Sequence, residues 1–224
     1  LYKYNHITSS IYNSINATIS KVSYKTYFPD YNNINLKNIL KFVKHKSNNY
    51  CFDLKFNSFQ DLLQFIDFYN DELCLIKIYS DLIKNFDYKI LKQLSEKYNF
   101  LIMEGKNFHC LESNFINEYS YNKHYEWCHL IELSNLHSPK IFNILNEFNS
   151  NTQRPVSVIY NNYNNDSKLL YILNKNKNII GLNASYLECD ILIFDTLKSN
   201  NLKANIIILE PNHYINNLNS NSNL

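Results

Sequence analysis

Leu94-Ser95-Glu96-Lys97-Tyr98-Asn99-Phe100-Leu101-Ile102-Met103-Glu104-Gly105-Lys106-Asn107-Phe108-His109-Cys110 passes from an amphipathic segment into a short apolar run and out again into polar residues. The spacing predicts a helix over Phe86 to Tyr98 that feeds a strand over Phe100 to Met103, because helix-period patterning gives way to a continuous apolar run. Gly105, one of only two glycines in the chain, follows at once.

The same alternation extends in both directions. Asn35 to Lys46 carries Leu36, Ile39, Leu40 and Val43 on one helical face. Strands are predicted over Tyr50 to Leu54, Glu72 to Ile78, His129 to Leu133, Pro155 to Tyr160, Asn178 to Leu182, Ile191 to Phe194 and Asn205 to Leu209. Helices are predicted over Ser58 to Tyr69 and Ile141 to Phe148, with Lys168 to Leu173 continuing the pattern. Apolar strands separated by helices indicate a parallel sheet covered on both faces. With the run at Phe100 the strands number eight, which suits an α/β (β/α)8 TIM barrel, although about 190 residues is compact against the ~250 usual for that fold. An open doubly wound sheet is the structural alternative. Neither Gly-x-Gly-x-x-Gly nor Gly-x-x-x-x-Gly-Lys-Ser/Thr occurs, which removes support for its nucleotide-binding versions.

Residues 1–23 are polar and weakly periodic and are read as an N-terminal extension, poorly ordered, preceding a single barrel domain over 24–224. The chain begins at Leu1, read as processing or trimming.

The composition is skewed: 39 Asn, 19 Tyr and 21 Lys stand against one Arg, two Gly, three Ala and four Pro. This pattern fits an A/T-rich genome, such as an intracellular parasite, an insect virus or a fungal linear plasmid. Asn tolerates the left-handed region next best after Gly and is expected to replace it in turns, but not where phosphate must touch bare backbone. A net charge of +2 with both signs interspersed argues against a nucleic-acid or anionic-membrane footprint. No run of 18 apolar residues occurs, so no membrane association is expected. Cys51, Cys74, Cys110, Cys128 and Cys189 contain no Cys-x-x-Cys pair; they read as buried thiols in a reducing, cytoplasmic or otherwise intracellular setting, a virion included.

The quoted stretch resembles the centre of the orotidine 5′-phosphate decarboxylase family of the fungal type, where an apolar strand ends in Phe-Glu-Asp-x-Lys-Phe-x-Asp. Further likeness lies in Leu73-Cys74-Leu75-Ile76-Lys77-Ile78-Tyr79-Ser80-Asp81 against Ile-Cys-Leu-Leu-Lys-Thr-His-Val-Asp. It continues in Tyr125 to Ile131 against Ala-Glu-Trp-Ala-Asp-Ile-Thr, and in Ala204 to Leu209 against Ser-Asp-Ile-Ile-Ile-Val. The resemblance implies a decarboxylase-like barrel, with a shortened C-terminus. It also implies a cofactor-free reaction driven by an alternating Lys/Asp array, and a homodimer whose sites lie at the subunit interface.

That array is degenerate here. Lys77 matches, whereas the family's Asp, Lys and Asp fall on Gly105, Asn107 and Cys110. Shifting the register so that Lys106 takes the central role would send its side chain to the other face of the strand. The substrate contacts are altered as well. The family's Ser-Leu-Asp, whose Asp holds ribose, is Asp53-Leu54-Lys55, and a ribose-binding His is Tyr79. The pyrimidine-reading Glu-Leu-Ser is Asn161-Asn162-Tyr163. The phosphate-binding Gly-Arg-Gly is Glu210-Pro211-Asn212, with a carboxylate and a residue lacking N–H where an anion would sit.

The expected function is therefore a catalytically inactive decarboxylase-like protein repurposed as a structural or protein-binding component, no longer binding uridine or orotidine monophosphate. The alternatives are a divergent active decarboxylase using Lys77 and Lys106, and a nucleotide or RNA binder. Lys77 could equally be a packing residue paired with Asp53 or Asp81. His109, His124, His129 and His137 invite a metal site, but no spaced pair with a carboxylate supports one. Cys110 beside His109 is a weak candidate nucleophile, since neighbours at a strand end point apart. Trp127 reads as core.

Overall fold

The computed structural model describes residues 34–47, 50–106, 108, 112–134, 139–150, 156–161, 179–183, 192–196 and 206–209. The predicted N-terminal extension, the segment Lys168 to Leu173 and residues Asn107, His109, Cys110, His137, Tyr163 and Pro211 lie outside them.

Eight parallel strands close into a barrel in sequence order: β1 (Tyr50–Leu54), β2 (Leu75–Ile78), β3 (Leu101–Glu104), β4 (Leu130–Ser134), β5 (Ser157–Asn161), β6 (Ile179–Asn183), β7 (Leu192–Thr196) and β8 (Ile206–Leu209). β8 returns to β1 through the Tyr50/Ile207 and Cys51/Ile208 registers, so no strand edge is left over. This is the (β/α)8 architecture expected from the sequence.

The described helices are α1 (Ile34–Lys46), α2 (Phe59–Tyr69), α3 (Tyr88–Tyr98), α4 (Glu112–Tyr121), α5 (His124–Trp127) and α6 (Pro139–Ser150). Strand alternation divides the core into two clusters. Tyr50, Phe52, Leu54, Ile76, Ile78, Ile102, Ile131 and Leu133 face outward against Leu62, Ile66, Leu91, Phe115 and Leu145 of the helices. Cys51, Leu75, Leu101, Met103 and Leu130 face inward, where Ile39, Leu40 and Val43 of α1 pack on them and close the lower end. Lys46 of α1 adds a hydrogen bond from its Nζ to the Tyr98 carbonyl, 3.0 Å away.

The quoted stretch folds as it does for local reasons. Asp87 caps α3, its carboxylate accepting the amides of Lys89 at 2.8 Å and Ile90 at 3.3 Å. Asn99 ends the helix at φ 54°, in the left-handed region where Asn substitutes for Gly. Ser95 then ties helix to strand: its Oγ donates to the Phe100 carbonyl at 2.6 Å and its own carbonyl accepts the Phe100 amide at 3.1 Å.

Two departures from the sequence-based expectations have clear causes. β2 starts at Leu75 rather than Glu72, because the amides of Glu72 and Leu73 are both turned back onto the Tyr69 carbonyl at the end of α2. α4 and α5 were not expected, since their buried residues are few: Phe115 and Tyr119 in one, His124 and Trp127 in the other.

Candidate active site at the barrel mouth

Above the apolar lower layer the inward positions become charged. On β1 the residue two beyond Cys51 is Asp53; on β2 the residue two beyond Leu75 is Lys77; on β4 the residue two beyond Leu130 is Glu132. Asp53 and Lys77 are register partners, and all three are buried, with 5%, 6% and 8% of their surfaces exposed. Lys77 Nζ lies 2.6 Å from Glu132 and 3.9 Å from Asp53.

Lys77 stands on β2 and Glu132 on β4, so the side chain must cross β3 to make this contact. Gly105, immediately after β3, leaves the way open. A Cβ there would lie 2.5 Å from Lys77 Cε, 3.0 Å from its Cγ and 3.1 Å from the Tyr79 ring. Among the described residues no glycine has positive φ. Gly105 is thus required here for space and not for backbone conformation.

Tyr79 closes the other side. Its hydroxyl donates to Asp53 at 3.2 Å, and the Lys77 and Lys55 ammonium groups lie 5.5 and 5.9 Å from its ring centre. Lys55, half exposed, reaches Asp53 at 4.0 Å. Two carboxylates therefore face two ammonium groups.

Burial works to lower the Lys77 pKa, but the carboxylates of Glu132 and Asp53, with Tyr79, outweigh it and hold the amine above the ordinary lysine range. The group is a fixed cation, not a neutral base. Burial pushes the Tyr79 phenol up, only partly offset by Lys77. Burial likewise raises Cys51, and raises Cys74 to about 12, so these thiols are poor nucleophiles.

On the outer face at the end of β3 a third carboxylate, Glu104, is fully buried. It accepts the Ser80 amide at 3.3 Å and the Lys106 amide at 2.9 Å, pinning the segments after β2 and β3 together. His124 Nε2 lies 3.6 Å from it. The His124 ring packs against Phe108 at 5.1 Å, Trp127 at 5.3 Å and Tyr119 at 5.9 Å.

Asp53, Lys55, Lys77, Tyr79 and Gly105, singled out by the resemblance as family site positions, are in contact with one another at the mouth. It paired Lys77 with Asp53 or Asp81; the first contact exists, but Asp81 lies 3.9 Å from Lys106 instead. Lys106 also reaches Glu118 of α4 at 3.9 Å, which places it outside the strand layer and away from Lys77's carboxylates. His129 Nδ1 accepts the Ile102 amide at 3.0 Å, a structural use. Among the described residues no group of three His, Cys, Asp or Glu could hold a metal.

Glu132 was missed. A carboxylate within Leu130-Ile131-Glu132-Leu133, two residues from an inward leucine, is the signal that could have found it.

The chain is similar in sequence to fungal orotidine 5′-phosphate decarboxylases. Over 130 residues it is 28% identical to that of Mycosarcoma maydis, covering 56% of this chain and 46% of the relative. Over 74 residues it is 34% identical to that of Torulaspora delbrueckii, covering 31% and 28%. The chain thus spans less than half the length of these relatives. Among solved structures, orotidine 5′-monophosphate decarboxylase from Methanocaldococcus jannaschii, complexed with the inhibitor BMP, superposes with a TM-score of 0.55 at 10% identity over 75% of this chain and 91% of that one, a likeness of fold. An uncharacterized conserved protein from Geobacillus kaustophilus gives 0.50 at 12% identity, over 78% and 100%. No family model matches the chain.

Proposed function

We propose that this member of the orotidine 5′-phosphate decarboxylase family is a catalytically silent barrel, retained as a structural or protein-binding component. The observation that carries the proposal is the fate of Lys77: its ammonium is committed to Glu132 at 2.6 Å, and its methylene chain occupies the space a side chain at position 105 would need. A substrate-directed array presents charge to a ligand, whereas Asp53, Lys55, Lys77 and Glu132 present charge to one another.

The decarboxylation assay tests this. Full-length protein with orotidine monophosphate should give no absorbance change above the uncatalysed rate, and turnover abolished by Lys77→Ala would overturn the proposal. Uridine monophosphate at millimolar concentration should leave the melting temperature unmoved; a rise would favour the nucleotide-binder alternative. The active alternative built on Lys77 and Lys106 has less support, since the two amines serve different carboxylates.

A partner is part of the proposal: a second copy of the chain or another protein, in an intracellular, reducing setting or a virion. Sedimentation of the purified chain distinguishes the first from a monomer, and affinity capture followed by mass spectrometry identifies the second.

A further inference from the structure

The mouth of this barrel, we infer, is a carboxylate-binding site occupied by the chain's own Glu132, which seats its carboxylate where a small external carboxylate would otherwise pair with Lys77. The inference rests on the silent-barrel reading and says what replaced the lost ligand.

Three observations converge on it. The Lys77 to Glu132 distance, 2.6 Å, is that of a charge-assisted hydrogen bond, whereas Asp53 stands off at 3.9 Å. The contact bridges strands that are not neighbours, and it does so through the single position, Gly105, whose missing side chain leaves a corridor. Lys77 therefore reaches away from its own register partner Asp53 to take Glu132 as its close anion. Finally, Glu132 is 8% exposed against 6% for Lys77 and 5% for Asp53, so it is the least enclosed of the three.

A buried ammonium that loses a close counter-ion is strongly destabilised, so an anion that binds in the vacated place stabilises the folded protein. Truncating Glu132 to Ala removes the carboxylate and one methylene and leaves room for a carboxylate of one or two carbons. A carboxylate offers two oxygens to the three donors of the ammonium, whereas chloride is a single spherical acceptor.

The experiment is a thermal melt of Glu132→Ala at neutral pH with formate or acetate, against chloride at equal ionic strength. Acetate should raise the melting temperature saturably, by roughly 5 °C well above its Kd, while leaving the unaltered protein unmoved. The double variant Lys77→Met/Glu132→Ala should not respond. Acetate acting no better than chloride, or acting equally on all three proteins, overturns the inference. Should Glu132→Ala not fold alone, refolding in acetate against chloride decides: recovery in acetate only supports the seat, and equal failure overturns it. Because the readout is stability and not turnover, an active enzyme would be exposed by the decarboxylation assay whatever acetate does.

Discussion

Inside the barrel, two layers built by the same strands meet different demands. In the lower layer Cys51, Leu75, Leu101 and Leu130 pack against Ile39, Leu40 and Val43 of α1. In the upper layer, two residues further along each of three of these strands, Asp53, Lys77 and Glu132 form a charged cluster. The lower layer needs only volume and apolarity, so many sequences satisfy it. The upper layer must instead balance charge: Lys77 stands 2.6 Å from Glu132 and 3.9 Å from Asp53. Packing tolerates many substitutions, whereas a buried charge depends on the particular partner that meets it.

If packing holds the shell, damage there should be the most severe. Trp127 is fully buried, lies 5.3 Å from the rings of both Phe86 and His124, and donates from Nε1 to the Asn122 carbonyl at 3.1 Å. Trp127→Ala should cost about 3–5 kcal/mol in urea unfolding. A loss under ~1 kcal/mol would mean that the outer layer is looser than its contacts imply.

The charged layer should be costly to half-remove and cheap to replace whole. Lys77→Met takes the close ammonium from buried Glu132 and leaves Asp53 with Lys55 and the Tyr79 hydroxyl, and should cost about 3 kcal/mol. Lys77→Met/Glu132→Leu should recover most of that in the same measurement. A double variant as unstable as the single one would show that the cluster does more than balance itself.

Local devices come next. Asp87→Ala removes both cap bonds of α3 and should cost about 1 kcal/mol, seen as a shifted urea midpoint with unchanged slope.

The smallest effect is an expected constancy. Because the folded-state pKa of Lys77 is raised, its stabilising contribution is fully present below the ordinary lysine value of 10.5 and is lost as pH climbs above that towards the folded value. The stability gap between wild type and Lys77→Met should stay flat from pH 7 to 10 and narrow only beyond. A gap that shrinks below pH 10 would contradict the paired ammonium.

The fold was legible because strand and helix periods are set by packing, which composition bias cannot erase. Tyr50 to Leu54 was read with the bounds that β1 has, and Leu91 with Ser95 marks the buried face of α3. α4 escaped because Phe115 and Tyr119 are the two buried residues in a segment otherwise rich in Asn, Ser and Glu. At the site, Lys77 and Gly105 were found individually, but their mutual dependence was not, since a side chain crossing one strand to reach the next leaves no mark in sequence spacing. Glu132 and the outward Glu104 went unread for the related reason that a carboxylate in an apolar strand names no partner until the sheet closes.

The chain contains a single Trp, and it is sealed between Phe86 and His124 with its indole N–H on the Asn122 carbonyl. Its emission is therefore a built-in optical gauge for the β3–β4 side of the molecule. Blue-shifted light will mark a dry indole, and a red shift that precedes the loss of helical signal would mean that this side opens before the rest unfolds, visible without any attached dye.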